Sequence, residues 1–91
     1  MPQGTPIVPS VKRALTIIET LATSGRGMSI SALSRRLNLP KSTAHTIVLT
    51  LRSAGYVRCD DETGRYRIGP AFLEVAGGMM KQPDLHDEDI R

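Results

Sequence analysis

Residues 41 to 49 read KSTAHTIVL and hold most of the hydrogen-bonding chemistry of this chain. Lys41 supplies an ammonium, Ser42, Thr43 and Thr46 supply hydroxyls, and His45 supplies an imidazole, with no carboxylate among them. Such groups suit a negatively charged, acceptor-rich partner. At about 100° per residue, Ser42, His45, Thr46 and Leu49 fall on one side of a helix, while Ala44, Ile47, Val48 and Leu51 fall on the other. In a DNA major groove the polar side would meet base edges, with Lys41 and the free amides of the first turn close to phosphates. The competing reading is an ordinary solvated helix face. The context described below favours the first.

Other chemistries find little support. Cys59, His45 and His86 are widely spaced and follow no ligand pattern, so no metal or cofactor is expected and Cys59 reads as a partly buried, inert thiol. No nucleophile has an adjacent base, and 91 residues with one Phe and no Trp would struggle to enclose a catalytic pocket. An enzyme is therefore not expected. A single cysteine rules out an internal disulfide, and neither a membrane-length apolar run nor a secretory opening is apparent. The expected setting is the cytoplasm, away from membranes.

The segment that must position residues 41 to 49 begins at Ser29, a natural N-cap, and continues with Ile30, Leu33 and Leu37 at helical spacing. Asn38-Leu39-Pro40 breaks the pattern: Asn tolerates the left-handed conformation that ends a helix, and Pro40 pushes Leu39 out of helical angles. A second helix then spans 41 to 53 and stops near Gly55. With about three residues between them the two helices must cross steeply, as in a helix-turn-helix. Arg35 and Arg36 lie beside the apolar stripe, either as phosphate contacts that set register on a duplex or as two solvated arginines.

Upstream, Ser10 is expected to cap a helix that runs to about Ser24 before Gly25. Its expected core stripe is Val11, Ala14, Leu15, Ile18, Leu21 and Ala22. Ile17 lies off that stripe, as a plain exposed residue or a dimer contact. Residues 1 to 9, with prolines at 2, 6 and 9 and no Lys or Arg, read as a flexible arm.

After Gly55 the period changes to two. Residues 56–60 and 65–68 are strand candidates joined by Asp61-Glu62-Thr63-Gly64, a hairpin wing over 56–68. Tyr66 and Ile68 share one face, leaving Arg65 and Arg67 on the other to reach phosphates or the minor groove. Acidic residues at the tip argue against deep insertion. Gly69-Pro70 opens a last helix, apolar through Phe72, Leu73, Val75, Ala76, Met79 and Met80. Such a helix calls for a second copy of the chain as cover, unless it packs back on the first helix.

Charge divides along the same line. Residues 1–58 carry eight Lys and Arg against Glu19 alone, whereas residues 59–91 carry four against eight Asp and Glu. The basic half suits a polyanion.

With these residues in view, SVKRALTIIETLA at 10–22, SISALSRRLNLPKSTAHTIVLTLRSAGYV at 29–57 and TGRYRIGPAFLEVAG at 63–77 resemble the N-terminal domain of the IclR family of bacterial transcription regulators. The fold implied is mainly α with a small β-hairpin: a winged helix-turn-helix with a three-helix core, a two-stranded wing and a C-terminal linker helix. The resemblance divides the chain into an arm (1–9), the DNA-binding domain (10–69), a linker or dimerisation helix (70–82) and the start of an effector-binding domain (83–91). It implies a homodimer formed through the first and linker helices on a palindromic double-stranded DNA operator, more often for repression. A small-molecule effector would bind a C-terminal domain missing from this chain, which suggests a shortened regulator. By the family pattern Lys41, Ser42, Thr43, His45 and Thr46 would contact DNA. Thr46 stands where many members carry arginine, so an Arg-to-guanine contact is unavailable there. The alternative function is a winged-helix module that binds protein and not DNA.

Overall fold

The computed structural model describes residues 4–82, so the expectations placed on residues 1–3 and 83–91, including His86, lie outside the described residues. The element order is α1 (Pro9–Ala22), α2 (Ile30–Leu37), α3 (Lys41–Ser53), β1 (Val57–Cys59), β2 (Tyr66–Ile68) and α4 (Ala71–Met80). This is the expected winged helix-turn-helix, followed by the expected fourth helix. Among the described residues no helix is long and apolar enough to cross a membrane.

The first helix differs from the sequence expectation at its start and on its buried side. Val8 occupies the N-cap position and Pro9 the first turn, so Ser10 lies inside the helix and is not its cap. Proline's fixed φ suits the first helical position, and it lacks the amide that would go unsatisfied there. Ile17, expected off the core stripe, is completely buried, and Leu21 is 2% exposed, whereas Val11 and Leu15 are more than half exposed. Helix α1 packs against both α3 and β2. The side that meets both is Ala14–Ile17–Leu21, at spacings of three and four, and Val11, Leu15 and Ala22 are left outward.

Leu33 from α2, Ala44 and Val48 from α3 and Val57 from β1 complete the centre with Ile17 and Leu21, all at 2% exposure or less. Burying one such aliphatic side chain contributes about 1.5–3 kcal/mol. This small core fixes how α3 sits on the domain.

The wing is a two-stranded antiparallel sheet pairing Val57 with Ile68, Arg58 with Arg67 and Cys59 with Tyr66. At its loop Gly64 takes φ +72°, and the Asp60 carboxylate accepts the amides of Glu62 (2.9 Å) and Thr63 (3.4 Å). A contact absent from the sequence reading widens the sheet. Met28 and Tyr66 exchange backbone hydrogen bonds of 3.0 and 2.8 Å, so the connection before α2 acts as a one-residue third strand.

No residue of α4 is buried. The Phe72 ring meets Tyr56 edge-on at 4.7 Å, while Leu73 and Met80 stay 75% and 63% exposed.

Candidate nucleic-acid interface

The turn before α3 is held from both sides. Asn38 adopts φ +54°, ending α2 in the left-handed conformation that Asn tolerates. The Leu39 amide then donates to the Ser34 carbonyl at 2.9 Å, and the Ser34 hydroxyl donates back to the Leu39 carbonyl. Ser29 caps α2 by accepting the Ala32 amide at 3.1 Å. The start of α3 has no side-chain cap, since its N-cap is Pro40. Amides in its first turn therefore point outward with their donors uncommitted to a cap, the arrangement that favours an anion.

With Ala44, Ile47 and Val48 buried, the opposite face of α3 is set outward by helix geometry. Lys41, Ser42, His45 and Thr46 are exposed, as expected, and Leu49 is 41% exposed on the same face. Thr43 is half-buried. Arg35 and Arg36 are exposed in the last turn of α2, where cations also oppose the helix dipole.

Residues of α1 that sequence reasoning left out border this face. Ser10 shares a hollow of about 300 Å³ with Ser42, Thr43 and Thr46. On another side of the same helix, Lys12 and Arg13 line a hollow of about 380 Å³ with Leu37 and Leu39 of the turn. For Lys12 and Arg13 the only signal in the sequence was their charge, and for Ser10 there was none, because what brings α1 beside α3 is tertiary packing.

On the wing, Arg65 is exposed but Arg67 is half-buried, which corrects the expectation of a freely basic outer face. The covering group is Gly27. A Cβ placed there would lie 2.8 Å from the Tyr66 carbonyl oxygen, 2.9 Å from Cγ of Arg67 and 3.3 Å from Cβ of Arg65, and Gly27 has φ +80°. Only glycine combines that angle with that approach. Beneath it, Nε of Arg67 is buried with no hydrogen-bond partner.

Two groups near the wing titrate abnormally. The Glu62 amide, ahead of Thr63 and the Arg67 charge, holds the Asp60 carboxyl below its usual value. Burial, reinforced by the neighbouring Cys59, raises the Tyr66 phenol above 10. A separate apolar groove of about 570 Å³ runs between α1, α3 and the start of α4, lined by Val11, Leu15, Ile18, Leu51, Tyr56 and Phe72.

Comparison with known proteins shows the family and the fold. The profile of the IclR helix-turn-helix domain matches residues 10–61. The chain is 36% identical over 83 residues to the HTH-type transcriptional regulator XynR of Escherichia coli K12, covering 91% of this chain and 33% of that protein. It is 37% identical over 80 residues to the glycerol operon regulatory protein of Streptomyces coelicolor, covering 88% and 30% respectively. The chain thus spans about a third of the length of these relatives. Among solved structures, the repressor BlcR of Agobacterium tumefaciens superposes with a TM-score of 0.76 at 33% identity, over 86% of this chain and 31% of that one.

Proposed function

The chain belongs to the IclR helix-turn-helix family, and from that premise we propose that it is the DNA-binding domain of a transcription regulator, with α3 in the major groove. The observation that carries this reading is the division of α3 into a buried apolar face and an exposed face of ammonium, hydroxyl and imidazole groups. Ser42, Thr43, His45 and Thr46 are assigned to base edges and adjoining phosphates. Lys41, Arg35, Arg36, Arg65 and Arg67 are assigned to the backbone, where cations fix register without reading sequence.

Residues 10–69 form the DNA-binding unit and α4 the linker on this reading. Two copies associate through the exposed apolar side of α1 and through α4, and so engage a palindromic operator. Exposure of Val11 and Leu15 above the groove that ends at Phe72 supports this pairing. A small-molecule effector would act through a further domain, repression is the sign of control, and the cytoplasm is the place of action.

Selection of bound duplexes from a random pool tests the reading. It should return a palindromic site, and His45→Ala or Thr46→Ala should change the bases selected. Lys41→Ala combined with Arg65→Ala should weaken all sequences and lower the salt slope by about 2. An unchanged slope in that double variant would sink the assignment of the DNA face.

A further inference from the structure

We propose that Arg58 and Arg67 together hold one backbone phosphate of the duplex, so that the wing docks by its outer face and not by its tip. The inference rests on the DNA-binding reading above and assigns Arg58, a residue outside that reading's contacts. The register sets Arg58 directly opposite Arg67, and residues opposite one another in an antiparallel pair project from the same face. Val57, Cys59, Tyr66 and Ile68 fill the other face, toward the core. Like charges directly opposed across a hairpin are disfavoured. Departures from local preference of this kind collect at functional sites.

Further observations favour an anion between them. Arg67 cannot simply swing away, because its stem lies against Gly27 and its Nε is buried without a hydrogen-bond partner. Arg58, Cys59, Asp60 and Arg67 enclose a hollow of about 220 Å³. Asp60 is the carboxylate on this face, and one of its oxygens is committed to the amides of Glu62 and Thr63 in the loop. Arg65 lies across from Asp60, joined by a 2.8 Å backbone hydrogen bond, so the outer face carries three cations against one anion. The tip beyond them carries Asp61 and Glu62, both exposed, which repel a phosphate. The face attracts what the tip rejects.

The test uses the 91-residue chain and a random-sequence duplex, since phosphate contacts do not depend on sequence. Arg58→Ala should weaken binding about three- to tenfold at low salt, and adding Arg67→Ala, which leaves the shared phosphate without either arginine, should lower the salt slope by about 0.9, the loss of one phosphate. Lys81→Ala removes the same charge from the end of α4 and should leave the slope unchanged. Without DNA, Arg58→Ala should raise the thermal midpoint by about 1–5 °C, because it removes a cross-strand repulsion. A wild-type chain that binds no duplex at low salt overturns this inference together with the reading beneath it. Wild-type binding that Arg58→Ala matches in affinity and slope overturns this inference alone. So does a loss of affinity accompanied by a lowered midpoint, which would mark Arg58 as structural.

Discussion

Helices α3 and α4 both carry apolar residues and leave them in opposite states. In α3 the apolar residues Ala44, Ile47 and Val48 are taken up by the chain's own core, leaving a polar face outward. In α4 Ala71 and Phe72 are half-buried and the other apolar residues stay outside, with Leu73 at 75% exposure, although the helix carries almost no other kind of side chain. A surface helix whose apolar side is satisfied offers hydrogen bonds. One whose apolar side is unsatisfied offers area to be removed from water. One domain therefore presents two surfaces that suit chemically different partners.

The contrast can be broken first at the core. Leu33→Ala should cost about 2–5 kcal/mol by leaving a cavity in a fully buried position, whereas Leu73→Ala should stay within about 0.5 kcal/mol for the isolated chain. Denaturant unfolding of the two variants at low protein concentration measures the difference. Equal losses would mean that α4 is packed after all.

A backbone pair gives the next largest effect. Gly27→Ala should destabilise by about 1–3 kcal/mol, since it demands a positive φ and pushes a methyl against the Tyr66 carbonyl. Gly77→Ala, inside α4 with open space around it, should instead stabilise by about 0.5–1 kcal/mol. Thermal unfolding of both reads the opposite signs directly.

Association is the third comparison. Leu73→Glu should weaken self-association about tenfold or more, equivalent to about 1.4 kcal/mol, as measured by sedimentation equilibrium. The same change should leave duplex contacts by each single domain in place.

The smallest effect is alkaline. The Tyr66 phenol titrates higher in the folded chain than its unfolded value of 10.0. Folding thus favours the neutral phenol, and that stability is complete below pH 10 and is lost as pH rises from 10 through the folded value. Tyr66→Phe should remove this limb from a stability-against-pH curve, and an unchanged curve would show that another group causes it.

Much of the architecture was legible because local rules decided it. Asn38 and Pro40 marked the turn, Gly64 marked the wing, and of the stripe on α3 Ala44, Ile47 and Val48 are buried while Leu51 is half-buried against the core. Helix α1 was misread because it is apolar on two sides. Periodicity shows that a face is apolar but not which neighbour covers it, and the choice of Ile17 over Leu15 depends on β2, some fifty residues downstream. The Met28–Tyr66 pairing had no signal because one bridging residue has no period. The partial cover over Arg67 was hidden for the same reason: alternation assigned it to the outer face, and a loop from elsewhere in the chain lies over it.

That loop has one more effect. Met28, fastened to Tyr66 through two backbone hydrogen bonds, immediately precedes the residue that caps α2. The hairpin and the helix pair that carries α3 are therefore riveted at a common point and tilt as one piece. On the DNA-binding reading proposed above, the span between the groove under α3 and the strand under the wing becomes a fixed gauge, and a duplex whose groove width departs from that gauge loses one of the two footholds.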